Sequence, residues 1–210
     1  MLNFFKPKAA PVSTSGGDIM TRKIAVLVGS LRKESLSRKV AHAIAANAPA
    51  GYEFIYPEIG DLPLFNQDLE PTPPAQWVRF REEIKSADAV LWVTPEFNRS
   101  VPGALKNALD VGSRPYGQSV FNGKPAAVAS VSMGGIAGFG ANHHLRQSLA
   151  FLNMPTLPAE AYIGAAHTLF DEQGALTNED TRVFLKTFAQ NFADWIETHL
   201  SRATTTARAA

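Results

Sequence analysis

The chain has 210 residues, 45% hydrophobic and 19% charged, which describes one globular domain with short appendages and excludes wholesale disorder. Twenty Lys and Arg against 19 Asp and Glu leave a formal charge of +1, so no global field draws a nucleic-acid backbone or an anionic membrane. Cysteine is absent, which excludes disulfides, thiolate metal sites, iron–sulfur clusters and cysteine nucleophiles.

Residues 1–20 mix Pro, Ser, Gly and Lys without periodicity and read as a disordered leader. They hold no apolar run of the roughly 7–15 residues that a secretory signal needs. No stretch of about 18 apolar residues follows, so membrane insertion is not expected, and the cytoplasm is the expected compartment. Residues 21–200 read as a single domain. Lys23–Val28 is a buried strand that runs straight into Gly29 and Ser30. Ser35–Asn47 is a helix with Leu36, Val40 and Ile44 on one face, stopped by Pro49 and Gly51. Tyr52–Tyr56 is a second strand. Gln76–Ser86 is a helix with Trp77, Phe80 and Ile84 on its apolar side. Asp88–Thr94 is a third strand, and Pro102–Gly112 a helix that opens on Pro. Lys124–Val131 is the fourth strand, Asn142–Asn153 a helix and Thr156–Ile163 the fifth strand. Asn178–Leu200 is the last helix, capped by Thr177 or Asn178, and residues 201–210 read as a flexible tail.

Five strands alternating with five helices argue for an open parallel α/β sheet with helices on both faces. In such sheets a ligand sits beyond the carboxyl ends of the strands, where strand order reverses. The loops to inspect are therefore 29–34, 95–101 and 132–141. The first, Gly29-Ser30-Leu31-Arg32-Lys33-Glu34, opens a helix. A helix N-terminus with Ser30, Ser35 and Ser37 hydroxyls and the Arg32 fork suits an anion, although Ser35 serves equally as a plain cap. Neither Gly-Lys-Ser/Thr nor Gly-x-Gly-x-x-Gly spacing is present. The second loop, Pro95-Glu96-Phe97-Asn98-Arg99-Ser100-Val101, is stiffened by Pro95 and Pro102. It suits the polar edge of a flat heterocycle, with Phe97 packing and Asn98 donating. A proline-stiffened turn without a ligand remains open at this point. The third loop, Ser132 to Ala141, carries four glycines in seven positions, which points to close approach by a ligand or another subunit. His143 and His144 are adjacent and diverge by about 100° on a helix, and no His-Glu-x-x-His occurs, so no metal is expected.

These segments together carry a resemblance. GSLRKESLSRKVA (29–41), TPEFNRSVPGALKNALDVGSRP (94–115), GKPAAVASVSMGG (123–135) and HLRQSLAFLNM (144–154) resemble the NADPH-dependent FMN reductase family, in its bacterial quinone and chromate reductase branch. The resemblance implies a flavodoxin-like five-stranded sheet of order 2-1-3-4-5. It also implies FMN as cofactor and NADPH as co-substrate. Ser30, Arg32, Ser35 and Ser37 would surround the FMN phosphate. Pro95, Glu96, Phe97 and Asn98, with Phe97 where the family has Tyr, would face the ring, as would Ser132, Met133, Gly134 and Gly135. The flavin would carry the chemistry, with no catalytic side chain required. The implied acceptor is a small quinone, azo compound or chromate, and the implied assembly a homodimer or homotetramer that uses 102–115. A reductase that releases free reduced flavin, and a flavodoxin-like electron carrier, remain as alternatives.

Overall fold

In the computed structural model the backbone is described for residues 21–209 and the side chains for 21–201; the expected leader lies outside the described residues. β1 (Arg22–Val28), β3 (Ala89–Thr94) and β4 (Ala126–Val131) are almost wholly apolar and buried. A strand covered on both faces has no side to leave polar, so these runs do not alternate. β2 (Tyr52–Ile55) and β5 (Ala161–Ile163) are shorter and form the edges. Every pairing is parallel and the order is β2-β1-β3-β4-β5, the flavodoxin-like order, with its reversal between β1 and β3.

Alternate strand residues feed two cores. Ile24, Val26, Val28, Leu91 and Val93 pack toward α1 (Leu36–Ala46) and α5 (Glu179–Ala209). Ala25, Leu27, Val90, Trp92 and Val128 pack toward α2 (Ala75–Ser86), α3 (Gly103–Gly112) and α4 (Phe139–Phe151). The bulkiest fully buried side chains, Trp77, Trp92, Phe80 and Phe121, all belong to this second core. Each contributes about 1.5–3 kcal/mol or more by leaving water.

Three boundaries differ from the sequence expectation. The fifth strand shrinks from 156–163 to Ala161–Ile163, because Pro155 and Pro158 have no N–H for the ladder and Thr156 makes only an isolated bridge to Ala126. α4 starts at Phe139, three residues before Asn142. α5 starts just after Asn178, whose Oδ1 accepts from the Thr181 N–H at 2.8 Å. It continues to Ala209, through residues expected as a flexible tail. Among the described residues no helix is long and apolar enough to cross a membrane.

Candidate functional site

The loops after β1, β3 and β4 converge on the side where the strand order reverses. Gly29 sets how closely the first two approach. A Cβ there would stand 3.1 Å from Pro95 Cδ, 3.2 Å from Leu105 Cδ2 and 3.3 Å from Pro102 Cγ. The missing side chain of Gly29 therefore serves loop-on-loop packing. Between the loops lies a cleft of about 240 Å³.

Part of the cleft lining is rich in donors. Ser30, Arg32 and Ser37 line it. Ser30 and Ser37 are buried, at 8% and 2% exposure, yet their hydroxyls have no hydrogen-bond partner among the described residues. Arg32 donates through Nη2 to the carbonyl of Glu34 at 3.0 Å and makes no ion pair among the described residues. The first turn of α1 contains no acidic residue. Its N-terminal partial charge and free N–H groups are thus uncompensated from within the helix. Ser35 does not line the cleft. Its Oγ accepts from the Arg38 N–H at 3.1 Å, so it caps α1 and fixes its first turn.

The cleft also has an apolar lining. Leu36, Pro95, Phe97, Val131 and Met133 line it, with Glu96 and Ser132 between them. Phe97 and Met133 stand at the mouth, 55% and 58% exposed. Leu36 and Val131 were missed as lining residues. The available signal was positional, since one is the first residue of α1 and the other the last of β4. Asn98 is not among the residues that line the cleft and forms a two-residue turn with Arg99. Both residues are left-handed, with φ 51° and 63°, and Phe97 and Ser100 exchange two backbone hydrogen bonds of 3.0 Å. Such a turn favours Asn, which accounts for Asn98 without a ligand.

The glycine-rich loop, 132–141, runs from β4 into α4. Gly134 and Gly135 are exposed and do not line the cleft. Gly140 is required by packing within the chain, because a Cβ there would come within 2.6 Å of the Arg99 carbonyl oxygen. A buried hydrogen-bond chain that sequence reading did not find holds this loop. Arg146 Nε donates to Asn142 Oδ1 at 2.8 Å, Asn142 Nδ2 donates to Ser130 Oγ at 3.2 Å, and Ser130 Oγ donates to the Ala137 carbonyl at 2.8 Å. The chain spans 16 positions of sequence, from Ser130 to Arg146, so no local motif announces it.

Glu96 spans both loops. Its Oε2 accepts from the Ala141 N–H at 3.0 Å, and its Oε1 from Arg99 Nη1 at 3.3 Å. The neighbouring residues of α4, His143 and His144, reach separate partners. These are the Tyr162 hydroxyl and Ser100 Oγ, each at 3.0 Å. Burial, aided by a hydrogen bond to Glu160, pushes the Tyr162 phenol up to about 12.

A cleft lined both by donors and by apolar side chains, placed at the strand-order reversal, is what the sequence resemblance implies, and comparison with known proteins decides the family. Residues 22–168 match the family profile described as NADPH-dependent FMN reductase. The chain belongs to that family. The quinone reductase of Pseudomonas putida is 61% identical over 86% of this chain and 96% of its own. The 2-hydroxy-1,4-benzoquinone reductase of a Burkholderia species is 45% identical over 84% of this chain and 97% of its own. The solved structure of FerB, a flavoenzyme NAD(P)H:(acceptor) oxidoreductase from Paracoccus denitrificans, is 42% identical. It superposes with a TM-score of 0.80 over 85% of this chain and 99% of its own. As a member of the NADPH-dependent FMN reductase family, the chain is an oxidoreductase that works with FMN and draws electrons from NAD(P)H.

Proposed function

We propose that this chain passes electrons from NADPH to quinones at FMN held in the cleft, donor and acceptor entering in turn in a ping-pong sequence. The observation that carries the reading is one cleft lined both by donors unpartnered among the described residues and by apolar side chains. FMN joins a flat ring to a phosphate, and the residues suit both in kind. Ser30, Ser37, the Arg32 fork and the first turn of α1 supply donors and positive charge for the phosphate. Ser35 holds that turn in shape. Pro95, Phe97 and Met133 supply an apolar wall for the ring, with Ser132 at its polar edge and Glu96 beside them, its carboxylate taken by Ala141 and Arg99. Asn98, Gly134 and Gly135 shape the two loops from outside the cleft.

Bound FMN supplies hydride acceptance and release, which leaves the protein the tasks of holding and orienting. Phe97 and Met133 give an arriving acceptor an apolar surface at the mouth. The names of the P. putida and Burkholderia relatives support a quinone as acceptor; azo compounds and chromate are further acceptors in this reading. A homodimer or homotetramer completes it. α3 and α4 line a groove of about 370 Å³. Phe151 lines that groove and is 88% exposed, which offers a second subunit a seat.

The test is the absorbance spectrum of the purified chain after incubation with FMN and gel filtration, followed by additions of NADPH and a benzoquinone. Retained flavin bands that NADPH bleaches and quinone restores are expected, with parallel lines in double-reciprocal plots. Convergent lines overturn the alternating order. Flavin lost on the column with turnover intact points to a reductase of free flavin, and bands that NADPH leaves unbleached point to an electron carrier.

A further inference from the structure

Two helices begin at this cleft, and their N-termini differ. α1 opens with no acidic residue in its first turn and with the Ser35 cap drawn from its own chain segment. α4 opens on Gly138, which is left-handed and offers no side chain as a cap. Its first turn is capped instead by Glu96, from the β3–α3 loop 45 residues earlier, through the 3.0 Å bond from the Ala141 N–H. The second carboxylate oxygen is held by Arg99, across the two-residue turn of the same loop. The Glu96 side chain is 13% exposed, against 68% for Arg99, so the carboxylate lies inside the joint and the guanidinium covers it from solvent. Gly140 fits against this joint only because it lacks a side chain, since a Cβ would lie 2.6 Å from the Arg99 carbonyl oxygen and 3.0 Å from Glu96 Oε2.

We propose that Glu96 is a positioning residue: its carboxylate latches the β3–α3 loop to the N-terminus of α4, and so fixes the separation of the two walls that receive the flavin ring. The inference rests on the reading of the cleft as an FMN site. Pro95 and Phe97 lie on one side of the latch, while Met133 and the loop leading into α4 lie on the other. A negative charge seated on the α4 N-terminus also satisfies that helix's partial positive charge. The N-terminus of α1 is then the anion seat that remains in the cleft, which sets the direction in which a phosphate-bearing ring lies. Glu96 therefore acts through the loop it holds, not by moving a proton.

The experiment compares FMN and riboflavin binding, by flavin fluorescence titration, to the unaltered chain and to Glu96→Ala, Glu96→Gln and Gly140→Ala. Riboflavin lacks the phosphate, so it reports the ring walls alone. Glu96→Ala is expected to weaken both ligands by about tenfold, the cost of one unpaired buried donor, and to leave the FMN-to-riboflavin ratio unchanged. Glu96→Gln still accepts from Ala141 and recovers most of the affinity. Gly140→Ala forces the joint from the opposite side without altering any cleft residue, and is expected to weaken riboflavin similarly. The Glu96→Ala/Gly140→Ala double variant is expected to be no worse than either single one, because both open the same joint. Far-UV circular dichroism identifies a variant that has failed to fold, and Gly140→Ala, which opens the joint without touching Glu96, carries the test alone if Glu96→Ala is that variant. Unchanged riboflavin affinity in folded Glu96→Ala and Gly140→Ala overturns the latch. An unaltered chain that binds neither flavin overturns the reading of the cleft itself. One that binds both flavins equally overturns the placement of the phosphate and leaves the latch standing.

Discussion

Replacing Arg32 by Ala removes a guanidinium that makes no ion pair among the described residues and lines the cleft beside Ser30 and Ser37. A charge-assisted contact to a phosphate is worth about 1.5–3 kcal/mol, so FMN affinity is expected to fall by about 10- to 150-fold. Riboflavin affinity is expected to hold, and fluorescence titration of both ligands checks it. Equal losses for the two would place the phosphate elsewhere. Ser30 and Ser37 were legible as candidates because serines beside a helix start are donors whatever the fold does. Ser35 had two readings, anion ligand or cap, and its oxygen accepts from the Arg38 N–H as a cap does, which leaves its O–H free to donate elsewhere. Asn98 also has two readings. Its chemistry suits a ring carbonyl, but its left-handed φ of 51° shows a backbone role that composition does not reveal.

The strands and helices of the sheet were legible because burial on both faces writes itself as continuous apolar runs, as in β1 and β3. Their ends were less so. The start of α4 depends on Glu96, far away in sequence, and no local capping pattern marks Phe139 as a first residue. The glycines near it looked like room for a ligand, whereas Gly140 makes room for Arg99. α5 offers a test of how an element is held. Arg22, the first residue of β1, donates through Nε and Nη2 to Glu197 at 2.9 Å each, and the Tyr52 hydroxyl donates to the Ala193 carbonyl at 3.2 Å. The Arg22 hydrogen bond holds the Glu197 carboxyl below its ordinary value, outweighing partial burial. A carboxyl whose pKa is depressed by folding stabilises the fold fully above the ordinary carboxylate range. That contribution is lost as the pH falls through the lowered value. The pair is partly exposed, at 22% and 49%, so solvent screening limits it to about 0.5–1 kcal/mol. Glu197→Gln is expected to lower the melting temperature at neutral pH by about 1–4 °C. It also flattens the fall in stability on acidification, which thermal melts from neutral to acidic pH read directly. An unchanged acid limb would remove Glu197 from the account.

Taken as one folding unit, the domain places its cleft across the ends of β1, β3 and β4, so anything that fills the cleft binds the folded chain and not the unfolded one. FMN at a hundred times its dissociation constant is expected to stabilise the fold by about 2.7 kcal/mol. That is a rise of about 5–10 °C in melting temperature for a domain of this size. Removing the flavin by dialysis against high salt is expected to reverse the rise, and scanning calorimetry with and without FMN measures it. A melting temperature indifferent to FMN would mean that the cleft does not take it.

The covalent makeup of the chain has a consequence of its own. Quinones are electrophiles, and the side chain they alkylate most readily is the thiol of cysteine. A protein that meets such compounds turn after turn risks being consumed by its own substrates. This chain has no cysteine at any of its 210 positions. With quinones as the acceptors, as proposed above, one that arrived beside Phe97 and Met133 would meet no thiol anywhere in the chain to add to.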